Sequence, residues 1–261
     1  MLLTIDIGNT QITLGVFRTD QGRPLKGVVS SWRMATVRTA TSDEYGTKIL
    51  DFLHYASIES SQIGGVALAS VVPPLDGVFL DAVKKYFKTT PLVVGPGVKT
   101  GMNILYDNAA EVGADRIVNA LAAFDRLGGP CIVVDFGTAT TFDCVNRKGD
   151  YLGGAIAPGP LLAAASLWEK TAKLPLLGAF RKPPSALGKN THDSMSSGLF
   201  YGYIGLTEEL LRQLKKEVGG EPKIMATGGL AGLLAPYIKA IKKVDPDLTL
   251  EGLRLVWERN L

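Results

Sequence analysis

Apolar positions along this chain recur with two periods, every residue or every second residue in some stretches and every third or fourth in others, and the two kinds of stretch alternate. The first kind predicts strands near residues 2–7, 11–18 and 27–34, a buried strand from Gly64 to Val72 that stops at Pro73-Pro74, and a strand at Pro91 to Val94. The second kind predicts a helix capped at Ser42, with Asp43 and Glu44 in its first turn, running to about His54, and another from about Leu75 to Phe87. After the glycine-rich stretch Gly95 to Gly101 the order repeats. A helix is predicted over Ala109 to Arg126, closed by Gly128-Gly129-Pro130, then a strand pair, a strand at Gly149 to Ile156, and a turn at Ala157-Pro158-Gly159-Pro160 that starts a helix. Residues 173–190, rich in Pro, Lys and Gly, form the longest irregular segment. A long helix from about His192 to Glu217 carries Leu199, Tyr203, Leu206, Leu210 and Leu214 as a stripe that suits a core or a dimer surface. Ile224 to Thr227 reads as a short strand and Leu250 to Glu258 as a final helix.

The same strand, turn and strand pattern occurs twice around one short motif, Asp6-Ile7-Gly8-Asn9-Thr10 and Asp135-Phe136-Gly137-Thr138-Ala139. A turn of small and hydroxyl residues lets N–H and O–H groups converge on an anion, and an Asp at the strand end can hold a cation or its water. Two such hairpins facing each other across a cleft would grip a polyphosphate. The repeat favours two domains in the 261 residues, with the boundary expected at 1–108 and 109–261.

Charge and cysteine content narrow the setting. Twenty-eight Lys and Arg against 25 Asp and Glu leave a net charge of +3, too small for the basic footprint of a nucleic-acid binder. The first residues enter a strand pattern without a basic, apolar leader, and no apolar run reaches the ~18 residues of a membrane span, so a soluble, cytoplasmic protein with no membrane or nucleic-acid partner is expected. Cys131 and Cys144 would lie opposite each other if Gly137-Thr138 were a two-residue turn, and two reduced, buried thiols are the expectation. His54 and His192 lack partners at metal spacing and read as structural.

Two further glycine motifs separate one nucleotide chemistry from another. Gly95-Pro96-Gly97-Val98-Lys99-Thr100 lacks the GxxxxGK[ST] spacing of a P-loop, which excludes a Walker-type NTPase. Thr227-Gly228-Gly229 offers the close backbone approach that a base or ribose needs, though a plain strand-to-helix turn has the same composition. In Gly113-Ala114-Asp115-Arg116, a carboxylate able to orient an attacking hydroxyl precedes a guanidinium able to hold a substrate carboxylate, although the residue types alone also describe a solvated ion pair.

Together these residues resemble the acetate and sugar kinase, Hsp70 and actin superfamily, and within it the type III pantothenate kinases over nearly the whole chain. The resemblance rests on Asp6 to Thr10, Gly113 to Arg116, Asp135 to Thr141, Gly153-Gly154-Ala155-Ile156-Ala157-Pro158-Gly159, and Thr227 to Gly229, in that order. It implies an α/β fold of two ribonuclease H-like (actin-like ATPase) domains with a cleft between them. It also implies ATP as phosphoryl donor, Mg²⁺, a monovalent cation (K⁺ or NH₄⁺), pantothenate as acceptor and a homodimer. By the same resemblance Asp115 is the proton acceptor, and Tyr106, Gly113, Ala114, Arg116 and Thr191 contact pantothenate. Asp6, Ile7, Gly8, Asn9, Thr10, Gln11, Ile12 and Thr13 hold the ATP phosphates, Asp6 positions Mg²⁺, Thr138, Gly228 and Gly229 meet the nucleotide, and Asp135 binds the monovalent cation. Thr191 would also cap the long helix. Gln11 departs from the family pattern, where His is frequent. The competing readings are another kinase or a polyphosphate phosphatase of the superfamily, which would change the acceptor motif, and a non-catalytic regulatory relative, which would not require Asp115 or Asp135.

Overall fold

Two sheets of five strands have the same strand order, so the repeat seen in the motif extends to whole folding units. The computed structural model describes residues 1–261. In the first sheet β1 (Leu2–Ile7) pairs antiparallel with β2 (Gln11–Phe17), and β2 pairs with β5 (Ser30–Ala35). On its other side β1 pairs in parallel with β6 (Gly65–Ser70), and β6 with β7 (Leu92–Val93), giving the order β5-β2-β1-β6-β7. β3 (Thr19–Asp20) and β4 (Arg23–Pro24) form a separate small hairpin. The second sheet repeats the plan as β10-β9-β8-β11-β12, from β8 (Cys131–Phe136), β9 (Ala139–Val145), β10 (Tyr151–Pro158), β11 (Lys223–Thr227) and β12 (Lys243–Val244).

The central strands are buried on both faces, as parallel neighbours covered by helices must be. In the first unit, Leu3, Ile5 and Ile7 of β1 join Ile12, Leu14 and Val16 of β2 in a core closed by Tyr45, Ile49 and Leu53 of α1 (Ser42–Tyr55) and Leu75, Phe79 and Val83 of α2 (Pro73–Phe87). The opposite face is covered by α7 (Leu248–Arg259), the last helix of the chain. It approaches closely because Gly15 and Gly65 carry no side chain: a Cβ at Gly65 would run into the Trp257 ring, and one at Gly15 would sit 2.7 Å from Leu250 Cδ1. The first unit is therefore assembled from Met1–Met102, Asp107–Ala122 and Asp247–Leu261, and the second from Asn103–Tyr106 and Ala123–Pro246.

In the second unit, Ile132, Val134 and Phe136 of β8 and Phe142 and Cys144 of β9 pack against Ala164 of α4 (Pro160–Glu169) and against α5 (Thr191–Val218). The apolar stripe of α5 belongs to this core. Leu199 and Tyr203 are buried in it and Leu206, Leu210 and Leu214 pack on it, so the stripe is not a free dimer face. α6 (Ala231–Leu234) contributes Ala231 and Leu234 to the same cluster.

Several local expectations are corrected. The cap of α1 is Thr41 rather than Ser42, because Thr41 is extended (φ −83°, ψ 167°), its hydroxyl accepts from the Glu44 N–H, and the Glu44 carboxylate accepts from the Thr41 N–H at 2.7 Å. Likewise Asn190, not Thr191, caps α5, its Oδ1 accepting from the Asp193 N–H at 2.8 Å. The strand expected from 27 begins at Ser30. The helix expected over 109–126 is split into a 3₁₀ turn, Ala109–Glu111, and α3 (Ala114–Leu127). The two cysteines do not face each other. Cys131 is opposite Val145 and Cys144 opposite Ile132, one residue out of phase, and since successive side chains point to opposite faces the two thiols diverge. Both are free and buried, and burial pushes the Cys131 thiol up to about 12.

Candidate active site

In the first unit the motif Asp6 to Thr13 forms a four-residue loop between the last paired residues, Ile7 and Ile12. The Gly8 N–H donates to the Gln11 carbonyl at 3.1 Å, and a Cβ at residue 8 would lie 2.8 Å from that oxygen. Thr36, just beyond β5, donates its N–H to the Thr10 carbonyl (3.1 Å) and its hydroxyl to the Gly8 carbonyl (2.6 Å). Three carbonyls of the loop are thus occupied from within the protein, a state that suits the loop to an anion rather than a cation. Asn9, Thr10 and Gln11 are exposed, and Asp6, opposite Thr13 and beside Ala69 of β6, is partly exposed. Ile7 and Ile12 point into the core, so only their backbone is available to a ligand.

The Gly113–Arg116 turn belongs to the same end of this unit. Its Gly113 lies by Val71, a Cβ there being 3.6 Å from Val71 Cγ1, and the Val71 N–H donates to the Ile7 carbonyl at 3.0 Å, where β1 enters the loop. Gly113 also makes room for the Asp115 carboxylate, since its Cβ would lie 2.6 Å from Oδ1. The break before α3 therefore has a use: it puts Asp115 in the first helical turn, where Oδ1 accepts from the Arg116 N–H at 2.8 Å. Burial raises the Asp115 carboxyl above the ordinary range, outweighing the Arg116 N–H and the Arg116 charge, which pull it down. A carboxylate held this way is a stronger base than an exposed one. Arg116 is 8 % exposed, so its guanidinium is shielded from bulk water.

In the second unit, Asp135 is opposite Thr141 of β9 and beside Thr227 of β11. Gly137 and Gly228 both lie against its carboxylate. A Cβ at Gly137 would be 3.3 Å from Oδ1, and one at Gly228 would strike Oδ1 and the Phe136 backbone. Gly228 also has φ +93°, whereas a Cβ on Gly229 would meet nothing, so only the first of the pair is sterically required. Thr138 is exposed at the tip of the hairpin, and its carbonyl accepts from the Gly159 N–H at 3.0 Å.

Tyr106 lies in the short segment that runs beside β10. Its ring meets Tyr151 at 6.4 Å and Gly153, where a Cβ would be 3.3 Å from the ring. Tyr151 donates its hydroxyl to Asp143 Oδ1 at 2.8 Å, and Thr141 donates to Asp143 Oδ2 at 3.1 Å, both on a fully buried carboxylate. This network was missed in the sequence, although the strand alternation that faces Asp135 with Thr141 puts Asp143 on the same face two residues on. Thr191 is exposed in the first turn of α5, without a hydrogen bond to these groups. No three His, Cys, Asp or Glu side chains cluster so as to hold a metal ion by themselves.

A profile described as type III pantothenate kinase matches residues 2–213. The type III pantothenate kinase of Moorella thermoacetica is 52% identical over 260 residues, covering 100% of both chains, and that of Koribacter versatilis 49% identical over 264 residues, covering 100% of this chain and 96% of its own. Among solved structures, the activator of the 2-hydroxyisocaproyl-CoA dehydratase from Clostridium difficile, with bound ADPNP, matches with TM-score 0.53 at 12% identity, covering 99% of this chain and 94% of its own. An ethanolamine utilization protein from Carboxydothermus hydrogenoformans matches with TM-score 0.54 at 15% identity, covering 97% and 89%. At such identities these two show the fold alone, that of the actin-like ATPases and sugar kinases. With two sheets of one strand order, a hairpin that follows an Asp in each, and half-identical relatives over its full length, the chain belongs to the type III pantothenate kinase family.

Proposed function

We propose that the chain transfers the γ-phosphoryl group of ATP to the primary hydroxyl of pantothenate, giving 4′-phosphopantothenate and ADP, the first step of coenzyme A synthesis. The observation that carries this reading is the Asp115 carboxylate, its proton affinity raised by burial and its position set by a glycine turn that adjoins the phosphate-type hairpin through Val71. Asp115 accepts the hydroxyl proton as the acceptor oxygen attacks, so that the in-line displacement needs no phosphorylated enzyme. Gly113, Ala114, Tyr106 and Thr191 contact pantothenate, and Arg116 takes its carboxylate in a bidentate pair. The backbone of Asp6 to Thr13 holds the phosphates, and Thr138, Gly228 and Gly229 meet the nucleotide.

The donor chemistry fits the ions the family uses. Asp6 supplies one hard oxygen, as a Mg²⁺ ion carried on ATP phosphates requires, and Mg²⁺ there would neutralise charge on those phosphates. Asp135, beside the hydroxyl-bearing Thr141 and Thr227 strands, supplies the carboxylate for K⁺ or NH₄⁺. Purified protein with ATP, Mg²⁺ and pantothenate should form 4′-phosphopantothenate in K⁺ buffer and lose most of that activity in Na⁺ buffer or as Asp135→Asn. No product under any cation, with ATP still bound, would mean a different acceptor.

The assembly we propose is a homodimer in the cytoplasm. No helix is long and apolar enough to cross a membrane. α4 exposes Leu161, Leu162 and Trp168, an apolar surface that a second subunit would cover. Sedimentation at micromolar concentration should give twice the 27.8 kDa chain mass, and a monomer mass would contradict the dimer.

A further inference from the structure

Arg38 is a cation hydrogen-bonded to the first hairpin through Asn9. Its Nη2 donates to Asn9 Oδ1 at 3.0 Å, which is its one hydrogen bond, and the side chain is exposed. The backbone beneath it is fixed at several points. Thr36 is tied to the loop through the Gly8 and Thr10 carbonyls, and Val37 gives its N–H to the Tyr45 hydroxyl (2.8 Å) while its carbonyl accepts from that hydroxyl (2.9 Å). Tyr45 is itself buried, its ring 4.7 Å from Phe79. Twenty-eight residues after Asp6 to Thr10, the chain is thus brought back against the same turn and held there.

The acids nearest in sequence do not neutralise Arg38. Asp43 accepts from Lys85 Nζ and the Tyr86 hydroxyl, both at 2.7 Å, and Glu44 is engaged by Thr41. What remains is an always-charged fork whose partner is a neutral amide oxygen. That amide belongs to a loop whose Gly8, Thr10 and Gln11 carbonyls are occupied and whose tip is exposed. An arginine held this way has donors left for a planar array of phosphate oxygens.

We propose that Arg38 is a further phosphate-binding residue of the kinase, its guanidinium oriented by Asn9 to contact non-bridging oxygens of the nucleotide's polyphosphate. This rests on the reading that the Asp6–Thr13 hairpin holds the ATP phosphates. Asn9 then acts as a positioning residue for the guanidinium.

The test is steady-state kinetics and direct Mg·ATP binding for Arg38→Ala, Arg38→Lys and Gly8→Ala, with thermal midpoints alongside. Arg38→Ala should weaken ATP by ~10–100-fold in KM and Kd, the loss of one charged contact. The pantothenate KM and the thermal midpoint should stay at wild-type values, and Arg38→Lys should recover part of the loss. Unchanged ATP parameters in Arg38→Ala, with Gly8→Ala impaired for ATP, would overturn the role of Arg38 and leave the hairpin reading standing. If Gly8→Ala also binds ATP normally, the hairpin reading fails and the inference with it. Equal losses in ATP, pantothenate and thermal midpoint would show Arg38 to be structural and overturn the proposal.

Discussion

Replacing Asp115 with asparagine should lower kcat for phosphopantothenate formation by roughly 10²–10⁴-fold, the range a positioned general base contributes. Asparagine keeps the size of the side chain and an oxygen to accept from the Arg116 N–H, so the loss isolates proton transfer. The same substitution has an opposite effect on stability. Because burial raises the Asp115 carboxyl, the folded protein binds that proton more tightly than the unfolded chain does. Ionising it as pH rises through the folded value therefore costs stability, and the wild-type protein bears that cost at neutral pH. Asp115→Asn should melt at a higher temperature than wild type at pH 7, and the gap should close as the pH is lowered below the folded value of Asp115. In parallel, wild-type kcat/KM should fall on the acid side with an apparent value above that of an ordinary aspartate. A variant that is inactive but also less stable at pH 7 would show that Asp115 is held for structural reasons instead.

The second large effect concerns stability at Gly228. Alanine there would place a methyl group against Asp135 Oδ1 and the Phe136 backbone, on a residue whose φ of +93° already disfavours any side chain. Positive-φ strain and overpacking of this kind together destabilise by about 3 kcal/mol. For a unit of this size that lowers the thermal midpoint by roughly 6–12 °C. Gly229→Ala is the internal control, because its Cβ enters open space. Equal melting of the two variants would mean the turn relaxes without strain, and the steric account of Gly228 would be wrong.

Much of this was legible in the sequence because it depends on neighbours along the chain. The hairpins around Asp6 and Asp135 and the stripe of α5 follow from periodicity and turn chemistry over short stretches of chain. The failures have a common physical origin. Thr41 and Ser42, like Asn190 and Thr191, are adjacent residues that can each cap a helix, and the backbone conformation decides between them, at α1 against the stronger intrinsic capper. The relation of Cys131 to Cys144 turns on a single residue of loop length, since β8 and β9 close at Phe136 and Thr140 rather than one position earlier. Arg38 over the first hairpin and Asp143 beneath Tyr151 become visible only when strands far apart in sequence are paired. The break before α3 is the instructive case: apolar spacing predicts one helix over 109–126, yet Val112 is extended and Asp115 stands in the first turn of a new helix.

The closing of the first sheet by α7 sets a constraint on biosynthesis. Residues 1–102 leave the ribosome well before Leu248–Arg259 exist, and all of 123–246 must be made in between. At ordinary translation rates that is an interval of roughly ten seconds. Through that time the face of β1, β2 and β6 bearing Thr4, Gly15 and Gly65 lacks its helix, while the other face can already close over α1 and α2. The nascent chain is therefore a half-roofed sheet, and the N-terminal unit is completed only after the residues of the C-terminal one have been synthesised.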